Sequence, residues 1–224
     1  DSLEARLEVA RAEGVDVVHS DCFVDRGPGT ERVVYGARPL SGQVHRKLLE
    51  AHGGVSYPGL LVKRSALEQI GYLDESIISH QEWDTAIRLA RFHAFGFLAR
   101  PTFTYYQRAE GTISGNKPNQ ALGHLQIVKK HKTDILRILG PASLAWHYSH
   151  VAQHFEAAGD RSRARYWHLR SLLPVLRWPK GRAAIWRDAM GELMLACIPS
   201  PAKRLLRAIR AGRPLPGGEQ RGTK

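Results

Sequence analysis

The first half of this chain switches between helical and strand-like hydrophobic spacing, whereas the second half keeps helical spacing throughout. Leu3, Leu7, Val9 and Ala10 share one side of a helix that Gly14 stops, and DVVH at 16–19 reads as a buried strand running into Ser20-Asp21. A turn at 25–30 and a short strand at 31–35 make residues 22–35 a hairpin. Ser41 can cap a helix reaching His52, which Gly53-Gly54 end. Leu60, Leu61 and Val62 are an apolar run suited to a buried strand, punctuated by Pro58-Gly59 and ended by Lys63-Arg64. Ser65 caps a short helix at 66–70 and Gly71 stops it. After Asp74-Glu75, Ser79-His80-Gln81-Glu82-Trp83-Asp84 opens a helix carrying Trp83, Ile87, Ala90 and Arg91 at helical spacing. Residues 95–98 and 102–106 read as two strands around Arg100-Pro101, followed by a polar loop at 111–119.

Beyond that loop the pattern predicts helices at 118–139, 142–158, 160–173 and 182–197, punctuated by Gly140-Pro141, Gly159-Asp160 and Pro174. The stretch AWHYSHVAQHFEAAGDRSRARYWHLRSLLP resembles one tetratricopeptide hairpin; repeats of that kind need neighbours to bury a core, so a small helical bundle is expected. Residues 213–224 are rich in Gly and Pro and read as a disordered tail.

Charge sharpens the boundary. Of the net +12, residues 1–119 contribute 14 Lys and Arg against 15 Asp and Glu, so the excess lies beyond them. The composition predicts three segments: an α/β part at 1–117, a basic helical domain at 118–212 and the tail at 213–224.

Four segments in order carry a resemblance: the apolar strand at 60–64; the helix ending in Gly71-Tyr72-Leu73-Asp74-Glu75; the Gln81-Glu82-Trp83-Asp84 box with Arg88-Leu89-Ala90; and Tyr105-Tyr106-Gln107-Arg108 with Gly111-Thr112-Ile113-Ser114. This series resembles the second half of family 2 glycosyltransferases of the GT-A fold, over roughly residues 1–116. The resemblance implies a partial GT-A domain whose Rossmann-like nucleotide half, with a D-x-D segment, is expected upstream of Asp1. It implies an inverting transfer of sugar from a nucleotide-sugar donor to a glycan or lipid-linked acceptor in bacterial surface polysaccharide synthesis. It also implies a divalent cation, Mg²⁺ or Mn²⁺, held by those upstream aspartates. The fragment alone is then expected to be inactive. The alternative is a non-catalytic helical interaction module on a degenerate glycosyltransferase scaffold.

The same resemblance implies roles for particular residues. Glu82 is the candidate general base, since a carboxylate can take a proton in the transition state; Ser79-x-x-Glu82 equally fits a helix capping box. Asp84 is the second catalytic candidate, with an ion pair to Arg88 as its other reading. Tyr57, Gly59, His80, Gln81 and Trp83 are candidates for the acceptor cleft; Gly59 also fits a turn, His80 an exposed loop and Trp83 the core. Asp21 and Arg108 are candidates for the donor side, a guanidinium fork matching phosphate oxygens, while Asp21 also fits a strand-end cap.

The eleven histidines form no metal-ligand spacing, and Cys22 and Cys197 lie far apart, which points to a reducing compartment. The basic half carries no nucleic-acid motif, so nucleic acid is not the expected partner. Residues 202–211 form a short basic amphipathic pattern suited to an anionic membrane surface. The expected location is the cytoplasm, peripheral at the inner face of the membrane.

Overall fold

The computed structural model describes residues 1–27, 33–35, 39–52, 54–106 and 115–176. Helix α1, Ser2–Glu13, begins at Asp1, whose carboxylate accepts from the Leu3 N–H, and ends at Gly14 in the left-handed conformation. It leads into strand β1, Val17–Asp25, in which Val17 and Val18 are fully buried. Strand β2, Val33–Tyr35, pairs antiparallel with one end of β1, Cys22 opposite Tyr35, as the hairpin reading expects. Strand β3, Leu61–Val62, pairs antiparallel with the other end. Strand β4, Phe95–Tyr106, runs parallel along the whole of β1, so β2 and β3 share the opposite edge. The sheet is small, four-stranded and mixed.

The two strands expected around Arg100-Pro101 are one. The register between β1 and β4 slips from Ser20 opposite Leu98 to Asp21 opposite Pro101, and the irregularity absorbs a residue with no N–H to donate.

Helices surround this sheet. Helix α2 spans only His45–Glu50, because Gly42 exchanges backbone hydrogen bonds with Phe95 at 2.8 and 3.0 Å and so holds Ser41 away from a capping position. A 3₁₀ turn, Tyr57–Gly59, precedes β3; α3, Arg64–Gln69, follows it and starts from Lys63 without a side-chain cap, Ser65 lying inside the helix. Helix α4 spans Gln81–Leu89. Helix α5, Lys117–Asp134, is capped by Asn116 and continues as a π-helical segment, Ile135–Leu139, to Gly140. Helices α6, Pro141–Ala157, and α7, Arg161–Leu176, fold back on each other across a three-residue turn; α7 carries Pro174 within it rather than stopping before it. The pair is a helical hairpin, with nothing further to mark it as a tetratricopeptide repeat. The expected helices at 182–197 and 202–211 and the tail at 213–224 lie outside the described residues. Among the described residues no helix is long and apolar enough to cross a membrane.

The main core joins Val17 and Phe95 of the sheet to Leu48, Trp83 and Ile87, and to Ile127 and Val128 of α5, so it is continuous across residue 117. A smaller cluster, Leu125, Val151, Phe155 and Ala164, ties α5 to the α6–α7 pair. The approach of α5 to the loop before α4 depends on Gly123. A Cβ there would lie 2.5 Å from the Ser79 carbonyl oxygen and 2.7 Å from the Ser79 Cβ. Gly123→Ala improves helix propensity by roughly 1 kcal/mol but forces backbone apart. We predict a net loss of about 1–3 kcal/mol in urea unfolding, the usual cost of overpacking; an unchanged midpoint would show that α5 does not sit this close.

Candidate functional site

The loop before α4 turns sharply. His80 is the residue at the head of the helix and adopts φ 63, a left-handed conformation that histidine enters more readily than most residues. Ser79 is buried beneath α5 and makes no side-chain cap, so the capping box read from Ser79 and Glu82 does not form. The Glu82 carboxylate instead meets His52, Oε1 to Nε2 at 3.1 Å, with 23% of the glutamate side chain exposed. His52 Nδ1 takes a 3.4 Å hydrogen bond from the Gly54 N–H, which leaves Nε2 as the nitrogen that donates to Glu82. Burial by itself would push the Glu82 carboxyl up; the His52 hydrogen bond, the His52 charge and the glutamate's own backbone N–H outweigh it and hold the group below its ordinary value. Tyr57 lies alongside, its hydroxyl 3.0 Å from Thr85 Oγ1 one helical turn after Glu82.

Asp84 has the opposite environment. Its side chain is 1% exposed. Oδ2 accepts from Arg88 Nε at 2.9 Å and Lys130 Nζ at 2.8 Å, and Oδ1 accepts from His131 Nε2 at 2.7 Å. Burial opposes ionisation here too, but the His131 and Lys130 hydrogen bonds prevail and the carboxyl stays below its ordinary value. Arg88 extends the network to the Ile70 and Tyr72 carbonyls, and Lys130 extends it to Asp74, which also closes a turn on Ser76. The expectation of a catalytic Asp84 is corrected by this geometry: a substrate hydroxyl has no route to the carboxylate. The predicted pair with Arg88 is present.

The other acceptor candidates divide in the same way. Trp83 is a core residue, 3% exposed, with Nε1 donating to the Leu48 carbonyl at 2.7 Å, so its ring offers no face to a sugar. Gly59 is buried in the 3₁₀ turn, where a Cβ would meet Phe103 and Ser20; it serves packing rather than a cleft. His80 is half-buried rather than a solvated loop residue, and Gln81 is half-buried beside it. On the donor side, Asp21 is buried within β1 opposite Pro101, not at the strand's end, and Arg108 lies outside the described residues.

Behind Trp83 lies a histidine pair that sequence spacing gives no hint of. His147 Nε2 donates to the Leu49 carbonyl at 2.8 Å, so its Nδ1 accepts from His124 Nε2 at 3.3 Å. Trp83 and His147 thus satisfy two carbonyls in the last turn of α2 and fix where the chain leaves it, two residues before His52. A further proton on this pair would set two N–H groups against each other. Burial, with only the Leu49 bond opposing it, pushes His147 down to about 4; burial and the neighbouring histidines push His124 well below its ordinary value.

No family model matches the chain, and no curated protein matches it. Among solved structures, "Crystal structure of S. aureus TarS 1-349" is similar to it at 14% identity and a TM-score of 0.39, over 94% of this chain and 58% of that chain. At that level of likeness no residue correspondence follows.

The histidine pair gives a test in acid. The unfolded chain protonates His124 and His147 near their ordinary value of 6.5, whereas the folded protein resists until about pH 4 at His147. Their contribution to stability is complete above that ordinary value and is lost as pH falls from about 6.5 towards 4. Unfolding free energy should drop by roughly 1.4 kcal/mol per pH unit for each histidine in this window, and His147→Gln should flatten the slope. A stability curve flat from pH 7 to pH 4 would contradict the buried neutral pair.

Proposed function

We propose that this chain is part of an inverting glycosyltransferase, with Glu82 as the general base that deprotonates the acceptor hydroxyl. The observation that carries the reading is the difference between two carboxylates close together on α4: Asp84 is buried and saturated with side-chain donors, whereas Glu82 is partly exposed and has His52 as its side-chain partner. The His52 bond occupies Oε1 and leaves the other oxygen for an incoming hydroxyl. Because the carboxyl is held below its ordinary value, it is ionised and ready to accept a proton at neutral pH.

In the proposed reaction the acceptor oxygen attacks the anomeric carbon of a nucleotide-sugar as the bond to the diphosphate breaks. The acceptor proton passes to Glu82, and the configuration inverts. Tyr57, partly exposed beside Glu82, would border the acceptor. A Mg²⁺ or Mn²⁺ ion on the donor side would neutralise the leaving diphosphate. The basic composition of residues 120–224 supports an acceptor presented at an anionic membrane surface.

The test uses the full-length protein, assayed by nucleoside diphosphate release across a panel of nucleotide-sugars. Glu82→Gln keeps shape and can still accept the His52 hydrogen bond through its amide oxygen, but it cannot take a proton. The expected outcome is unchanged melting and a loss of turnover on the order of 10²–10⁴. Turnover near the parent rate would remove Glu82 from the role.

A further inference from the structure

His52, His80 and Glu82 come from three places in the chain and meet at the head of α4, each offering a ligand atom within 4.8 Å of the others. We infer that these three residues form a binding site for one transition-metal dication of the zinc class, with a fourth position left to water or an exogenous ligand. The inference shares Glu82 with the proposed sugar transfer and deepens it, but cation binding requires neither donor nor acceptor.

The geometry supports it at each residue. Tetrahedral zinc with bonds of about 2.0–2.1 Å sets neighbouring ligand atoms roughly 3.3–3.4 Å apart. The His52 Nε2 to Glu82 Oε1 separation is already 3.1 Å, close to one edge of such a tetrahedron. His80 needs a side-chain movement on the order of 1 Å to complete the face.

The His80 ring is prepared for the task. Its Nε2 is shielded from solvent and has no hydrogen-bond partner. In the neutral ring with its proton on Nδ1, Nε2 carries a lone pair that can ligate a metal. A cation bound here accounts for a buried ring nitrogen that is otherwise unsatisfied.

His52 supplies the entrance, being an exposed residue. On binding, its proton moves from Nε2 to Nδ1 through solvent, and the long 3.4 Å contact from Gly54 is released. Two imidazoles and one carboxylate suit zinc, cobalt or nickel; magnesium and calcium require more oxygen ligands than this cluster offers. A cation held here engages the Glu82 carboxylate, so on the proposed function its occupancy silences the base. The site would then make sugar transfer sensitive to transition-metal concentration.

The experiment is isothermal calorimetry of the whole chain with Zn²⁺ alone, and separately with Mg²⁺, in a non-coordinating buffer. The expected result is one Zn²⁺ per chain and no saturable Mg²⁺ binding. His52→Ala and His80→Gly should each weaken Zn²⁺ at least about 10-fold. Glycine is chosen at 80 because it accepts the left-handed backbone, and His52 is exposed, so both variants retain the fold by melting. His150→Ala, on the exposed side of α6, should leave the affinity unchanged. No Zn²⁺ binding by the parent chain, or equal affinity in the His52 and His80 variants, would overturn the inference. Either result leaves the assignment of Glu82 as base to stand or fall on its own turnover assay.

Discussion

Asp84 is the fixed point of this molecule. One buried carboxylate receives three donors, and those donors come from two helices: Arg88 from its own α4, and Lys130 and His131 from α5. Such a carboxylate is costly to bury, and the cost is offset only because every donor is within hydrogen-bonding distance and Lys130 is shared with Asp74. The arrangement cannot tolerate a slip of α5 by even one residue, since consecutive side chains on that helix must reach the two oxygens of a single group. It therefore sets the register of α5 on α4 more sharply than apolar packing at Ile127 and Val128 alone would. Gly123, about two helical turns earlier, lets α5 settle onto Ser79.

Everything at the head of α4 follows from that register. With Ser79 pinned beneath α5, the chain enters the helix through a left-handed His80, and Glu82 emerges on the side away from Asp84. From the opposite direction, Trp83 and His147 hold the last carbonyls of α2 and bring His52 within reach of Glu82. Thus Asp84 holds the helix and Glu82 holds the proposed chemistry. Environment alone separates the two carboxylates: one is buried among three side-chain donors, while the other meets one side-chain donor and is partly exposed.

Much of the architecture was legible in the sequence because it depends on local signals. Apolar runs and glycine stops marked β1, α1 and the three described C-terminal helices, and the spacing of Trp83 and Ile87 marked the buried face of α4. Errors arose where tertiary contacts overrode local preference. The Gly42–Phe95 bridge shortened α2, burial of Ser79 took away an apparent capping box, and pairing with β1 carried β4 straight through Pro101. Of the candidate site, the Asp84–Arg88 pair could be read from spacing within one helix, whereas Glu82 came from the resemblance, its spacing alone giving a capping box that does not form. His52, Lys130, His131 and the His124–His147 pair could not, since each partner lies 23 to 98 residues away and no pattern links the positions. For Trp83 and Gly59 the plain readings, core and turn, are the ones the structure shows.

Whether the Asp84 network holds α4 and α5 in register can be measured directly as an energy. A double-mutant cycle of Asp84→Asn and His131→Ala, followed by urea unfolding of the native chain, the two single variants and the double variant, isolates the interaction between the two side chains. The expected coupling energy is about 0.5–3 kcal/mol, with Asp84→Asn alone costing roughly 3–5 kcal/mol through loss of the buried charge that its three donors share. Additivity of the two changes within about 0.3 kcal/mol would contradict the central role of that buried carboxylate in positioning α5 on α4.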